Sequence, residues 1–171
     1  MKVEVVDFNK EWPIIFQKEA QKIMGILGDE LVDIYHIGST AVENLKAKPI
    51  IDIMPVVRDI TKIDAYNKKF EDLGYEAKGE FGMVGRRYFR KGLEIRTHHI
   101  HIFEASNLKD ITRHLAVRDY LQAHSQEAFE YGELKSKLAT AHSSDIEAYC
   151  DGKDAFVKEL ERKALKWYFE K

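Results

Sequence analysis

The stretch that most constrains this chain is residues 34–54, IYHIGSTAVENLKAKPIIDIM. An apolar run enters a Gly-Ser-Thr turn, and a Lys-Pro pair then leads into a second apolar run, Ile50-Ile51-Asp52-Ile53-Met54, that carries one acid. An unpaired carboxylate buried among apolar groups is costly by several kcal/mol. Strand alternation offers a way out, because Ile51 and Ile53 point to one face while Ile50, Asp52 and Met54 point to the other. With helices over the first face, Asp52 stands at the floor of a cleft and stays ionised beside a cation.

The turn complements that acid. Gly38 permits close backbone approach, and the N–H groups and hydroxyls of Ser39 and Thr40 suit phosphate oxygens. Lys48 adds positive charge along the same stretch. A phosphate-binding turn beside a metal-binding acid is the arrangement that phosphoryl transfer requires.

The remaining chain sets the frame. Residues 2–6 alternate like a short strand, and 10–27 read as a helix with Pro13 tolerable only in its first turn. Residues 31–37 and 50–57 read as strands, and a helix over about 61–73 stops at Gly74. Two or three strands fit between Tyr75 and Phe103. Beyond Phe103 the pattern turns helical: Asn107, Ser125 and Ser144 read as N-caps, Ser144 with Glu147 as a capping box. Helices over 108–124, 126–142 and 153–170 follow, with Asp151 capping the last. The expected fold class is α+β, a mixed β-sheet with flanking helices in residues 1–106 and a helical C-terminal part in 107–171, forming one continuous domain.

Charge and composition exclude several classes. Lys plus Arg total 27 against 29 Asp plus Glu, so no global basic field argues for bulk nucleic-acid binding. The single cysteine, Cys150, cannot close an internal disulfide. No signal segment opens the chain, and no run reaches the roughly 20 apolar residues of a membrane span. These features predict a cytoplasmic protein without membrane partners.

A strand ending in Gly-Ser, about a dozen residues, then an acid on the next strand resembles the entry motif of the polymerase-β-like nucleotidyltransferases; here it reads Ile37-Gly38-Ser39 and Asp52. More closely, the blocks YHIGSTAVENLKAKPIIDIMPVV, THHIHIF, RHLAVRDYLQAH and YCDGKDAFV, in that order from Tyr35 to Val157, resemble the GrpB family of that superfamily. The resemblance implies a nucleotidyltransferase-like sheet with a helical appendage. It also implies a metal-dependent transfer of a nucleoside monophosphate from a nucleoside triphosphate to an acceptor. Superfamily enzymes usually carry a second metal-binding acid two residues after the first; this chain has Met54 there. A non-catalytic nucleotide- or RNA-binding module and a metal-dependent hydrolase therefore stand as alternatives.

The superfamily's third acid comes from a later strand, and the block RTHHIHIF offers imidazoles instead. Ile100 and Ile102 share one face, so His99 and His101 share the other. Asp52 with these histidines suits a divalent transition ion such as Zn²⁺ or Mn²⁺ better than Mg²⁺. The alternation switches near Thr97, since Leu93 and Ile95 would share the face of His99; a bulge or short edge strand would resolve it. Among Arg86, Arg87 and Arg90, Arg87 is the expected phosphate contact. His36, Asp119 and Lys153 match family blocks and complete the candidate set.

Overall fold

The alternating apolar runs pair into a five-stranded mixed sheet. The computed structural model describes residues 2–171. Its strands are β1 (Leu31–Ile37), β2 (Ile51–Val57), β3 (Tyr75–Ala77), β4 (Arg86–Lys91) and β5 (His98–Glu104), in spatial order β1-β2-β5-β4-β3. β2 and β5 run parallel, and the other neighbouring pairs are antiparallel. The parallel pair at the centre needs a crossover, which here contains α2 (Asn67–Asp72), β3 and β4.

By contacts the chain forms two units, each assembled from separate stretches of the sequence. The sheet unit comprises Lys10–Ile37 and Ile50–Ile111; the helical unit comprises the N-terminal stretch through Asn9, Gly38–Pro49 and Thr112–Lys171.

In the sheet unit, α1 (Trp12–Leu27) starts with Pro13 in its first turn and buries Trp12, Phe16, Glu19, Ala20, Ile23 and Leu27. That spacing of three and four is the stripe of a helix laid on a sheet. Glu19 is the polar member of the stripe. It accepts hydrogen bonds from the Tyr75 hydroxyl at 2.6 Å and the Lys91 ammonium at 2.8 Å. Burial raises its pKa, but those two donors outweigh burial and hold it below the ordinary value. Beneath the helices, Ile53, Ile100, Ile102, Ile63 and Phe70 are fully buried, and Phe70 packs on Phe89 with ring centroids 4.5 Å apart.

The helical unit holds α4 (Ser125–Ala141), α5 (Ile146–Glu170) and most of α3 (Leu108–Ala123). Val42, Leu45, Ala116, Leu121, Leu160 and Ala164 are buried in one cluster there. A second cluster joins Val3, Ala139 and Tyr149. Among the described residues no helix is long and apolar enough to cross a membrane.

Several local expectations are corrected. Residues 2–6 form only an isolated bridge, Val6 to Ala47, rather than a strand. The helix expected over 61–73 begins as a 3-10 segment, Ile60–Tyr66, before α2. Ser125 is the first residue of α4 and not its cap, and the His124 preceding it provides no side-chain cap. Asp145 caps α5, accepting from the Ala148 N–H at 3.0 Å, so the cap falls one residue after Ser144. Asp151 lies inside that helix and caps nothing. The Asp-Gly pair at 151–152 reads as a break, yet Gly152 is where α5 approaches α4 so closely that a Cβ would collide with the Leu138 side chain. No bulge is needed at Thr97: β5 begins at His98, and Leu93 and Ile95 lie in an exposed turn.

Candidate functional site

Two features of β2 and β5 bring the acid and the imidazoles together. The strands are parallel neighbours with Asp52 in register with His99, and the two-residue period of β5 puts His101 on the same face. The Asp52 Oδ1 lies 3.0 Å from the His101 Nε2 and 3.5 Å from the His99 Nδ1. The ligand atoms of all three side chains fall within 4.8 Å of one another. Each is partly exposed, with Asp52 at 26%. Burial raises the pKa of Asp52, but hydrogen bonds from His101 and His99 more than reverse this and hold the carboxylate well below its usual range. This answers how the apolar run tolerates its acid: the counter-groups sit on the neighbouring strand.

β4 supplies the next layer. Tyr88 is in register with His101, and its ring lies 5.3 Å from that imidazole and 5.6 Å from His99. Burial, then the Asp52 charge, raises the pKa of the Tyr88 hydroxyl. Arg86 shares the parity of Tyr88. Its guanidinium stacks over the Tyr88 ring at 4.7 Å and brings Nη1 to 3.5 Å from the His101 Nδ1. A guanidinium only donates, so His101 accepts through Nδ1 and carries its proton on Nε2, facing Asp52.

This donor set fits a divalent cation. One carboxylate oxygen and two imidazole nitrogens at such separations match three ligands around a single ion, where bonds of about 2.0–2.2 Å set the spacing. Mixed nitrogen and oxygen donors favour Zn²⁺, Mn²⁺ or Fe²⁺ over Mg²⁺. Binding through the His101 Nε2 would move its proton to Nδ1 and displace Arg86 from a contact that is already long.

Other expected residues lie elsewhere. His36 is in register with Ile53, on the face opposite Asp52, and stacks on Phe16 of α1 at 4.8 Å. Arg87 is in register with Ile102, also on that opposite face, and pairs with Asp64 at 2.9 Å and Glu80 at 3.9 Å. Arg86, not Arg87, is the arginine beside the histidines. Met54 is fully buried.

The other phosphate candidates, Gly38, Ser39, Thr40 and Lys48, fall in the helical unit. Gly38 has φ +74°, and Ser39–Ala41 form a tight 3-10 turn in which the Gly38 and Ser39 carbonyls accept from the Ala41 and Val42 N–H groups. Thr40 is buried, so its hydroxyl is not presented to solvent. The Ser39 hydroxyl accepts from the Lys135 ammonium at 2.7 Å. Lys48 and Lys153 lie over the Tyr149 ring at 5.3 and 5.2 Å. Asp119 accepts from Arg118 at 2.9 Å. Sequence reasoning missed Tyr88, Lys135 and Tyr149. Tyr88 was legible through its parity with Arg86 and Arg90, whereas nothing local marks Lys135 as buried.

Comparison with known proteins assigns the chain. The profile of the GrpB protein family matches residues 2–163. The crystal structure of conserved protein GrpB from Enterococcus faecalis superposes with a TM-score of 0.95 at 47% identity, covering 97% of this chain and 99% of that one. The Bacillus subtilis protein YqkA is 43% identical over 97% of this chain, which spans only 48% of that protein's length. Glutamate-rich protein GrpB of Alkalihalophilus pseudofirmus is 31% identical over 92% of this chain and 93% of its own. A structure of Cid1 with a UTP analogue aligns at a TM-score of 0.49 and 9% identity, too loose a match to carry an argument. The chain belongs to the GrpB family.

Proposed function

We propose that this protein is a metal-dependent nucleotidyltransferase, moving a nucleoside monophosphate from a nucleoside triphosphate to a hydroxyl or amine acceptor. The observation that carries the reading is the Asp52–His99–His101 trio, a carboxylate and two imidazoles converging within 4.8 Å on one sheet face. The two histidines take the place of the acid that a later strand usually supplies and add a second donor where Met54 leaves none. In the reaction, the acceptor oxygen or nitrogen bonds to the α-phosphorus, the bond to the β-phosphate oxygen breaks, pyrophosphate leaves, and the acceptor's proton passes to solvent. A bound divalent cation would neutralise phosphate charge during that exchange. Asp52, His99 and His101 would hold it and Arg86 would offer a guanidinium to a phosphate oxygen; within the helical unit, Gly38, Ser39 and Lys48 are the candidates for binding phosphate.

A second reading has its own observation. The contact between His101 and Asp52 at 3.0 Å, with Arg86 orienting the ring, satisfies the acid without any metal. A nucleotide-binding module that has left catalysis would look like this. One experiment separates the two: incubation with each nucleoside triphosphate and Mg²⁺, Mn²⁺ or Zn²⁺, following pyrophosphate release and label incorporation. Ion-dependent pyrophosphate release that Asp52→Asn abolishes supports transfer. Saturable nucleotide binding without release under any ion overturns it in favour of the binding module.

A further inference from the structure

Among the described residues Lys135 is a buried cation in an unusual setting. Its residue is 2% exposed, its ammonium meets the Ser39 hydroxyl at 2.7 Å and the Tyr131 ring at 4.3 Å, and among the described residues no carboxylate pairs with it. A lysine is almost never fully buried unless paired. The charges that act on it are of the same sign, Lys153 on α5 and Lys48 on the 38–49 segment. Burial, then those two ammonium groups, holds its pKa well below the ordinary lysine value.

A second anomaly lies in the same cluster. The Tyr149 hydroxyl is buried with no hydrogen-bond partner, and Lys48 and Lys153 both lie over its ring. A buried hydroxyl left unpaired costs about 1–3 kcal/mol. Three lysines, a serine hydroxyl and an orphaned phenol thus converge from α4, α5 and the Gly38–Pro49 segment. Each is a donor, and no acid opposes Lys135. Such a set is unfavourable alone and is resolved by one class of ligand, a compact multivalent oxyanion.

We infer that the helical unit binds a phosphate-class anion through Lys135, Ser39, Lys48 and Lys153, with the Tyr149 hydroxyl as a further donor. Bound phosphate oxygens accept from Lys135 and Tyr149 together and supply the negative charge that Lys135 lacks. The inference deepens the phosphate half of the reading above and does not depend on the cation. Chains of two or more phosphates suit the cluster better than one, because they bring more oxygens to the Lys135, Lys48 and Lys153 side chains and to the Ser39 and Tyr149 hydroxyls. The number of oxygens offered is what would tell a diphosphate or triphosphate from free phosphate.

The test is calorimetric titration of the full chain with orthophosphate, pyrophosphate and ATP, with EDTA present so that no divalent cation contributes. Wild type is expected to bind pyrophosphate more tightly than orthophosphate. Lys135→Met should weaken pyrophosphate at least tenfold, and Ser39→Ala about tenfold; should Lys135→Met fail to fold, Ser39→Ala decides. Asp52→Asn, which disables the cation reading, should bind pyrophosphate like wild type. The inference is overturned by wild type giving no binding with any probe at about 1 mM. It is equally overturned by Lys135→Met and Ser39→Ala matching wild type, or by loss of binding confined to Asp52→Asn.

Discussion

In the sheet unit a carboxylate meets two imidazoles, whereas in the helical unit a buried lysine feels the like charge of two more lysines. The first cluster is electrically closed. Asp52 gains from His101 and His99 more than burial takes away, and its pKa falls. The second is open: Lys135 loses to burial and is repelled by its neighbours, with only a hydroxyl and an aromatic face in compensation. A closed cluster can be structural, catalytic or both, since it costs the fold little. An open one persists only where something outside the chain completes it, because the protein would otherwise be more stable without it. The contrast therefore makes the lysine cluster the stronger sign of a ligand and the acid–imidazole trio the stronger sign of chemistry.

The largest expected effect tests the closed cluster. Asp52→Asn keeps an acceptor oxygen for His101 but removes the charge that a divalent cation needs. Turnover, followed as pyrophosphate release, should vanish, and the melting temperature should also fall at neutral pH, because the fold holds the Asp52 pKa below its ordinary value and so gains from the ionised carboxylate. A variant that melts lower yet keeps wild-type turnover would show that the trio is a structural network only.

Second comes the open cluster. Lys135→Met should raise stability by about 0.5–2 kcal/mol at neutral pH while losing anion binding, the trade expected of a functional site. The pH dependence has a definite sign. The folded-state pKa of Lys135 is depressed, so the unfolded chain binds the extra proton. Its penalty is complete below the folded pKa, shrinks as pH rises, and disappears above the ordinary lysine value of 10.5. The advantage of Lys135→Met over wild type should accordingly be greatest at low pH and fade toward high pH in paired thermal melts. Pyrophosphate at 100 times its dissociation constant should stabilise wild type by about 2.7 kcal/mol and leave Lys135→Met unmoved. A Lys135→Met protein that is less stable than wild type at every pH breaks the comparison.

The difference between the clusters also governs what the sequence could reveal. The sheet trio was legible because strands have a strict two-residue period: the spacing of Asp52 between isoleucines and of His99 and His101 around Ile100 set their faces without any coordinates. What the period could not supply was register. Arg86 and Arg87 differ by one position, and only the pairing of Tyr88 with His101 decides that Arg86 faces the histidines while Arg87 turns to Asp64. The lysine cluster was legible only in fragments. Ser39, Lys48 and Lys153 stand out, but Lys135 sits in ELKSKLATA, which reads as an ordinary solvated helix face. Its burial comes from segments 96 residues apart in sequence, a distance no local pattern spans. Helix ends failed for a nearer reason. Ser144 and Asp145 are adjacent good caps, and the choice between them rests on which one reaches the Ala148 N–H.

A smaller effect is expected at the turn that leads into the lysine cluster. Gly38 adopts φ +74° with ψ −173°, a region open essentially to glycine alone, where a side chain costs about 1–3 kcal/mol. Gly38→Ala should lower stability by roughly that amount and weaken pyrophosphate binding by misplacing Ser39, while divalent-ion binding by the sheet trio stays at wild-type strength. Loss of ion binding in Gly38→Ala would mean that the two clusters are not separable in the way the comparison holds.

The smallest effect concerns Arg86, and it asks how closed the closed cluster is. Its guanidinium donates to the His101 Nδ1 at 3.5 Å and so keeps the proton on Nε2, the nitrogen that a cation would have to use. Hydrogen bonds this long are weak, so the restraint is worth only a few-fold in affinity. Arg86→Met retains apolar contact with the Tyr88 ring, removes the donor, and frees the imidazole to carry its proton on Nδ1. Zn²⁺ affinity, measured by competition with a chromophoric chelator, should then rise a few-fold. If Arg86 also receives a phosphate oxygen, the same variant should bind nucleoside triphosphate more weakly, so ion and nucleotide affinities move in opposite directions. Weaker Zn²⁺ binding in Arg86→Met would instead make the arginine a support for the ring in its metal-binding orientation, and the proton assignment on His101 would be the step to reverse.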